Sequence, residues 1–422
     1  MSAALRTKSA CTIAFDHHSP EFAADTIGAY RTAREHCPIA WSEAWGGFWV
    51  VTGYDEAFAA LHDDDLFSSA REHGGVSIPS LEGYGVVAPP IDLDPPRLQA
   101  YRRLMTPSLS SAAVAPLTTE VQTWVESAID AVVESGKADL LYDLGSPVPA
   151  KAIMRVLGYD LAEADRYADV HHLGFAMPPG DEEQFQRMVH EFVTRIPAEC
   201  KAAFWEKRAN PADDLVSRVA TAAVDPALVS IEELENVGTT LLAGGVDTTT
   251  NWFANTVIWL SRNPDQRARL IDDASIWDTA MEEFLRYFSP VPGLARTVTR
   301  DAVFFDHQLH EGDKFFVAFG AANHDPRQFD RPDELLLDRR PNRNMAFGVG
   351  IHRCVGSHLA RLVFGVMLEA VLRRIPDYRV LESDLVMYQD RGRINGWLNV
   401  PVEFTPGGAN ASPVPSASRS AR

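Results

Sequence analysis

The stretch FGVGIHRCVG, residues 347–356, determines how the rest of this chain is interpreted. Its glycines allow a backbone to turn tightly and to approach a flat ligand closely. The residues that follow, Val355–Arg374, have the pattern of an amphipathic helix, which places Cys354 at a helix N-terminus. Unpaired N–H groups and partial positive charge at such a terminus stabilise a thiolate and lower its pKa. A thiolate of this kind is a strong donor to haem iron.

Two other interpretations of this stretch exist. Cys354 could be a buried structural cysteine beside a glycine loop, or it could belong to a zinc site. The zinc alternative is weak because no second cysteine or histidine pair stands nearby with ligand spacing.

The segment resembles the haem-binding loop F-G-x-G-x-H-x-C-x-G of the cytochrome P-450 superfamily. Every fixed position is matched, by Phe347, Gly348, Gly350, His352, Cys354 and Gly356. The resemblance implies that Cys354 is the axial ligand of the iron in haem b. It extends from residue 12 to residue 405, with the motifs in family order.

Composition limits the other classes of function. The chain has 422 residues and a net charge of −19, which argues against nucleic acid as a main partner. The other three cysteines, Cys11, Cys37 and Cys200, are scattered, and we expect reduced thiols. No signal peptide and no apolar run of ~18 residues is found, so the sequence predicts a cytoplasmic protein.

A long central helix is predicted from Ser230, as N-cap with Glu233 completing a capping box, to Arg262. Within it, residues 243–250 read AGGVDTTT, and glycine and threonine are poor helix formers. Close helix packing is one explanation. The stretch also resembles the oxygen-binding groove of the family, which implies that Gly244 lies against the haem. Asp247 and Thr248 would then be the catalytic acid–alcohol pair.

Further motifs of the family can be assigned. Glu283 and Arg286, on a helix predicted over Trp277–Phe288, match its E-x-x-R motif, and Arg339 matches the third member of that structural network. Arg102, Arg296 and His352 are the candidates for binding the haem propionates. Many bacterial members have histidine four residues before the arginine, but this chain has Leu98 there, so one propionate contact is missing or replaced.

The resemblance implies a mainly α-helical fold with a minor β region, and haem between the central helix and the helix after the cysteine loop. Strands are predicted at Phe48–Thr52, Ala302–Phe305 and Lys314–Ala318. We expect residues 1–405 to form one haem domain and residues 406–422 a disordered tail.

The implied activity is a monooxygenase that inserts one atom of O₂ into an apolar small organic substrate. A ferredoxin with its NAD(P)H-dependent reductase would supply electrons to a monomeric enzyme, docking on Arg103, Arg343, Arg353 and Arg361. A peroxide-dependent relative and a non-catalytic haem-binding sensor are the alternatives. The predicted substrate pocket consists of Tyr84, Val87, Phe175, Met177, Thr240, Ala243, Pro292, Leu294 and Ile394.

Overall fold

Helices account for most of the computed structural model, which describes residues 11–79, 88–176 and 182–407. Within these ranges the α-helices are α1 (Pro20–Ala24), α2 (Thr26–His36), α3 (Tyr54–Ala60), α4 (Arg97–Met105), α5 (Ser111–Val114), α6 (Thr118–Val132), α7 (Pro147–Leu157), α8 (Ala164–Ala176), α9 (Glu182–Val189), α10 (Ile196–Ala209), α11 (Leu215–Thr221), α12 (Ile231–Leu234), α13 (Val237–Gly245), α14 (Asp247–Arg262), α15 (Pro264–Asp272), α16 (Trp277–Phe288), α17 (Phe319–Ala322) and α18 (Ser357–Arg374). None of them combines the length and hydrophobicity that a membrane-spanning helix needs.

The β region is small. Its strands in the same described ranges are β1 (Ile39–Ser42), β2 (Phe48–Val51), β3 (Phe67–Ser68), β4 (Lys137–Asp139), β5 (Leu294–Val298), β6 (Ala302–Phe304), β7 (His307–Leu309), β8 (Lys314–Val317), β9 (Arg379–Val380) and β10 (Pro401–Glu403). The main sheet has the order β1-β2-β8-β5-β3, the second sheet the order β4-β10-β9, and β6 pairs with β7. The mainly helical fold class with a minor β region is therefore confirmed.

The helical core is centred on α14 and α18, which pack directly against each other. The indole of Trp252 on α14 stacks on Phe364 of α18, with ring centres 3.8 Å apart and planes within 4°. Both side chains are fully buried. This contact fixes the helix that follows the cysteine loop against the central helix.

The central helix is not continuous, so the prediction of one helix over 230–262 is wrong. Residues 235–236 separate α12 from α13, and Val246 (φ −90°, ψ −77°) separates α13 from α14. The second break directly follows Gly244 and Gly245, where intrinsic helix propensity is lowest.

The predicted capping box at Ser230 is half formed. The Ser230 side chain accepts from the Glu233 N–H, as expected of an N-cap. The Glu233 carboxylate does not return the bond, because it accepts instead from Arg97 and Tyr101 on α4. The Ser230 N–H donates to the Tyr101 hydroxyl at 3.1 Å. A tertiary contact has thus replaced the local one.

Two further expectations differ in detail. The helix after the cysteine loop begins at Ser357, two residues later than predicted.

Cys11 and Cys37 form a disulfide, with Cα atoms 6.4 Å apart, so the expectation of reduced thiols is wrong for this pair. The N-terminal segment is brought there by hydrogen bonds that Trp41 in β1 exchanges with Cys11 and Ile13. Cys200 is a free, buried thiol.

Helix α16, which has the predicted bounds, carries a buried ion network. Arg286 donates to both carboxylate oxygens of Glu283, at 2.7 and 2.8 Å, and Arg339 donates to the same two oxygens at 2.9 and 3.0 Å. Glu283 and Arg286 are fully buried. The remaining guanidinium N–H groups are bonded to carbonyls of the irregular segment after α17, including those of Asn323 and Glu334.

Replacing Arg286 by Leu should lower the free energy of unfolding by about 3–5 kcal/mol, because the buried Glu283 charge loses its bidentate partner. The matched control is Arg262→Leu, since Arg262 forms a bidentate pair with Glu382 in which both side chains are about half exposed. That change should cost no more than about 1 kcal/mol. Chemical denaturation of the two variants measures the difference, and equal losses would contradict the structural role assigned to Glu283.

Candidate haem-binding site

The loop that carries Cys354 is held in a fixed turn by its own backbone. The Cys354 N–H donates to the Phe347 carbonyl at 2.8 Å. Gly348 and Gly350 have φ of +66° and +71°, which is the left-handed region that favours glycine. A Cβ atom at Gly350 would lie 2.4 Å from the Leu61 carbonyl oxygen. Backbone shape therefore favours glycine at Gly348 and Gly350, and close approach to Leu61 also requires it at Gly350.

Arg361 of α18 locks the loop from outside. Its guanidinium lies 4.6 Å from the centre of the Phe347 ring and donates to Glu282 of α16. The side chain is only 26% exposed. Arg361 therefore differs from the other predicted docking arginines in that its charge is paired with a carboxylate of the protein, although both side chains are partly exposed. The exposed members of that group are Arg103, Arg343 and Arg353.

The electrostatics around Cys354 differ from the expectation of a lowered pKa. Burial raises the pKa of the thiol, while the Gly356 N–H and the guanidinium groups of Arg102, Arg353 and Arg361 lower it without reversing the shift. A bound metal cation deprotonates a coordinating thiol outright. In the described part of the chain no three His, Cys, Asp or Glu side chains cluster to hold a metal ion.

A cavity of about 250 Å³ lies between the thiolate loop and the α13–α14 junction. The loop contributes Phe347, Gly348, His352, Cys354 and Gly356 to its wall, and the central helix contributes Gly244, Gly245, Thr248, Thr249 and Trp252. Gly350 is not on the wall, since it packs on Leu61. The cavity therefore has the position predicted for the haem.

Only some of the predicted substrate-pocket residues line the cavity. Thr240 and Leu294 line the cavity, whereas Ala243, Pro292 and Ile394 are not on its wall. Next to Pro292, the neighbours Pro290 and Val291 line it instead. Tyr84, Val87 and Met177 lie outside the described residues, and Phe175 is described only through its backbone in α8. Lining residues that the sequence reasoning missed are Val76, Ile91, Leu109, Ile153, Leu241 and Phe319.

Three basic side chains converge on the same cavity, namely Arg102, Arg296 and His352. Arg296 is on β5, two residues after Leu294, so both side chains point to the same face of the strand. Burial lowers the pKa of Arg296 to about 10, partly offset by Asp94. Burial also lowers the pKa of Arg102. For His352, burial and the two arginines lower the pKa to about 3.

This cluster fits the two propionates of a haem. Buried charges in proteins are normally paired. Among the described residues, no carboxylate lies within 4.0 Å of Arg296 or Arg102, and the Arg296 side chain donates only to its neighbour's carbonyl, that of Ala295. A dianionic ligand would compensate both guanidinium groups. The Leu98 side chain, also on the wall, is fully buried and apolar, so it offers no replacement for the missing histidine.

On the central helix, Gly244 leaves space where a ligand could lie. A Cβ atom added there would meet no atom within 4 Å, although the residue lines the cavity. The Thr248 hydroxyl, also on the wall, donates to the Gly244 carbonyl at 2.8 Å. The chain thus places a hydroxyl directly beside the space that Gly244 leaves open.

The carboxylate of Asp247 faces away from the cavity. It is fully buried and lies 3.0 Å from Nδ1 of His172 on α8. The hydroxyl of Tyr388 lies 3.0 and 3.2 Å from its two oxygens. His172 and Tyr388 were missed at the level of sequence. The one available signal was the spacing of Asp247, Asn251 and Asn255, which marks a polar stripe on a buried helix.

Comparisons with known proteins agree with this geometry. A family model described as Cytochrome P450 matches residues 271–376. The chain is 32% identical over 381 residues to the steroid C26-monooxygenase of Mycolicibacterium smegmatis, covering 90% of this chain and 92% of that protein. It is 28% identical over 390 residues to linalool 8-monooxygenase of Pseudomonas putida, covering 89% and 94%.

Among solved structures, the polyketide synthase cytochrome P450 PksS of Bacillus subtilis superposes with a TM-score of 0.81 at 26% identity, covering 93% of this chain and 100% of that one. The fold, the thiolate loop and the facing glycine groove define a haem-thiolate oxygenase. The chain belongs to the cytochrome P450 family of monooxygenases, which use haem and O₂.

Replacing Arg296 by Gln should weaken haem retention by about tenfold or more, because a buried charged hydrogen bond is worth about 1.5–3 kcal/mol. The control is Arg300→Gln, which removes an arginine near the end of the same strand whose side chain is exposed and bonded to the Asp65 carbonyl. Haem transfer to an acceptor apoprotein measures the loss rate. If both variants release haem at the wild-type rate, the assignment of Arg296 to a propionate fails.

Proposed function

We propose that this chain is a ferredoxin-dependent monooxygenase that binds haem b and inserts one atom of O₂ into an apolar small organic substrate. The observation that carries the proposal is the single cavity wall shared by Cys354, the basic cluster and Thr248. When bound, the haem supplies reductive activation of O₂ and insertion of an oxygen atom into an unactivated bond.

The chain's own residues would divide the remaining work. Cys354 ligates the iron, and Arg102, Arg296 and His352 hold the propionates. Phe347, stacked under Arg361, and the fixed turn at Gly348 keep the ligand sulfur in place. Glu283, Arg286 and Arg339 stabilise the protein behind this loop and do not contact the cavity.

The substrate should be apolar and should carry no carboxylate that requires pairing. The basic groups on the wall are those assigned to the propionates, and other parts of the same wall are formed by apolar side chains such as Ile91, Leu241 and Val291. The steroid and linalool monooxygenases to which the chain is similar are named for substrates of this apolar kind.

Thr248 and Asp247 would control protons during oxygen activation. The Thr248 hydroxyl, which donates its own proton to the Gly244 carbonyl, could accept a hydrogen bond from a water molecule in the cavity and hold that water in place, and Asp247 could pass protons inward. Such an O₂-specific device favours a monooxygenase over a peroxide-dependent relative, which has less need of it.

Replacing Thr248 by Ala should leave haem content and substrate binding unchanged while product per reductant falls and hydrogen peroxide rises. A reasonable expectation is a loss of about tenfold or more in coupling, within the range of general acid catalysis. Thr248→Ser keeps the hydroxyl and should behave like the wild type.

The assay measures product, peroxide and NAD(P)H in the presence of O₂, a ferredoxin and its reductase. Wild-type coupling in Thr248→Ala would contradict the proton role. Product formed by the wild type from peroxide but not from O₂ and reductant would favour the peroxide-dependent alternative. Substrate-independent spectra with no product from either oxidant would favour a sensor.

The face around the thiolate loop is the proposed ferredoxin surface. Arg353 is exposed within the loop, and Arg103 and Arg343 are exposed on the flanking segments. Tyr54 of α3 donates to the Arg343 carbonyl. Phe58, 43% exposed, packs at a tilt against His62, with ring centres 4.2 Å apart, and His62 lies beside Gly350. An exposed aromatic ring among arginines suits an acidic protein partner.

Reversing the charge of Arg353 with Glu should slow reduction by the ferredoxin about tenfold or more at low salt, with a smaller effect at high salt. The control is Arg187→Glu on α9, an exposed arginine on a helix whose main contacts in the described residues are with α8 and residues 190–195. Stopped-flow reduction under carbon monoxide measures the rate. Equal rates for the two variants would show that the partner docks elsewhere.

A further inference from the structure

A buried hydrogen-bond cluster links Asp247 to two side chains outside the cavity wall. His172 Nδ1 lies 3.0 Å from Asp247 Oδ1 and 2.8 Å from the Tyr388 hydroxyl. His172 Nε2 lies 3.1 Å from the Leu398 carbonyl oxygen. The side chains of His172, Asp247 and Tyr388 are each at most 1% exposed.

The geometry fixes how many protons the cluster holds. A backbone carbonyl only accepts, so His172 Nε2 must carry hydrogen. Tyr388 has a single hydroxyl proton and can donate it to Asp247 or to His172, not to both. For the Nδ1–Oδ1 contact to be a hydrogen bond, another proton must lie between His172 and Asp247. The pair therefore holds one proton that neither a neutral histidine nor a free carboxylate would carry.

We propose that His172 stores the proton that Asp247 delivers toward Thr248, which makes His172 a positioning residue for the proposed reaction. In this step the Nδ1–H bond of His172 breaks and the proton passes to Asp247 Oδ1. The protonated carboxyl group then turns toward the cavity, transfers the proton to a water molecule held by the Thr248 hydroxyl, which passes one of its own protons to the O₂ co-substrate as it is reduced, and Asp247 returns as a carboxylate. His172 is left neutral and regains a proton from solvent. The proposal rests on the proposed function.

The charges around His172 are consistent with this role. Burial lowers the pKa of His172, but the hydrogen bond and charge of Asp247, helped by the Leu398 carbonyl and Asp169, outweigh it and raise the pKa overall. Burial and Asp247 raise the pKa of Tyr388 well above its usual value, so the phenol keeps its proton.

Two groups connect the cluster with the surface. Asp169, exposed and one turn earlier on α8, favours the protonated imidazole. The Tyr142 ring, 41% exposed, meets His172 edge-on at 5.6 Å. Thus the titratable groups that face His172 in the described residues are Asp247, Tyr388, Tyr142 and Asp169.

The test compares His172→Asn with His171→Asn in the haem-loaded protein. Asparagine at 172 can still donate to Asp247 but cannot hold a proton. His171 is the matched control, because it is equally buried on the same helix but bonded to the Tyr167 carbonyl, and burial lowers its pKa to about 4. Tyr388→Phe, which leaves both members of the pair in place, is a second variant.

The first measurement is the unfolding midpoint between pH 5 and 8, a range set by the ordinary histidine pKa of about 6.5. His172 has a raised pKa, so its stabilising effect should be complete below pH 6.5 and should disappear as the pH rises through its folded pKa. His171 has a lowered pKa, so its effect should be complete above pH 6.5 and should decline as the pH falls. The two variants should therefore differ from the wild type with opposite pH slopes. If the stability differences of the two variants from the wild type changed with pH in the same direction, the proposal that His172 stores a proton would be overturned.

The second measurement is turnover with O₂ and reductant. We expect His172→Asn to slow reductant and product turnover about tenfold or more, with an increased solvent deuterium isotope effect and a changed pH profile. His171→Asn should stay within about twofold of the wild type, as expected of a residue outside the proton path, and Tyr388→Phe should lie between them. Wild-type rates and isotope effects in His172→Asn would overturn the proposal. If even the wild type makes no product, the proposed function fails. The stability measurement would still show whether His172 and Asp247 together hold the additional proton.

Discussion

The position of Cys354 depends on one buried carboxylate, that of Glu283. It receives hydrogen bonds from Arg286 and Arg339, from the Leu336 N–H and from Asn342. Through Arg286 the network reaches Asn323, whose side chain accepts the N–H of Met345 just before the thiolate loop. Since a buried charge without partners is very costly, losing any of these partners should weaken the network. The segment just before the loop is thus connected to Glu283 through Arg286 and Asn323.

The cavity presents the opposite situation, because no carboxylate of the described residues lies within 4.0 Å of Arg102 or Arg296. Burial lowers the pKa of Arg102 and of Arg296, and burial together with the charges of these two arginines lowers the pKa of His352. The protein alone bears this desolvation and repulsion, whereas a dianionic ligand relieves both. Haem binding should therefore stabilise the folded state beyond the contribution of the iron–sulfur bond, by the general linkage between ligand binding and folding.

The sequence was informative where a function depends on a local motif. The thiolate loop, the glycine groove and the bounds of α16 could be read directly, because closely spaced residues determine each of them. Contacts between distant segments could not be read. Glu233 bonds Tyr101 instead of completing its capping box, and Cys11 pairs with Cys37 because Trp41 brings the N-terminal segment there. Ala243, Pro292 and Ile394 were wrongly placed on the cavity wall for the same reason, since neighbours such as Val291 and Pro292 differ only in which way they face.

The polar residues of α14 show how a central helix can serve two surfaces. Asp247, Asn251 and Asn255 follow each other at intervals of one turn, and all are buried. Asn251 accepts the Trp397 N–H, and Asn255 donates to the Asn395 carbonyl, so this stripe binds the segment that also carries Tyr388. Thr248 and Trp252, each next in sequence to a member of the stripe, turn toward the cavity. Because Asp247 is the first residue after the break at Val246, it lies where the buried polar stripe comes nearest to the open groove at Gly244. Tyr388 and His172 pack closely around Asp247 and leave no room for an open water channel there. A carboxylate at this junction can nevertheless carry protons between the buried stripe and the groove by moving between them.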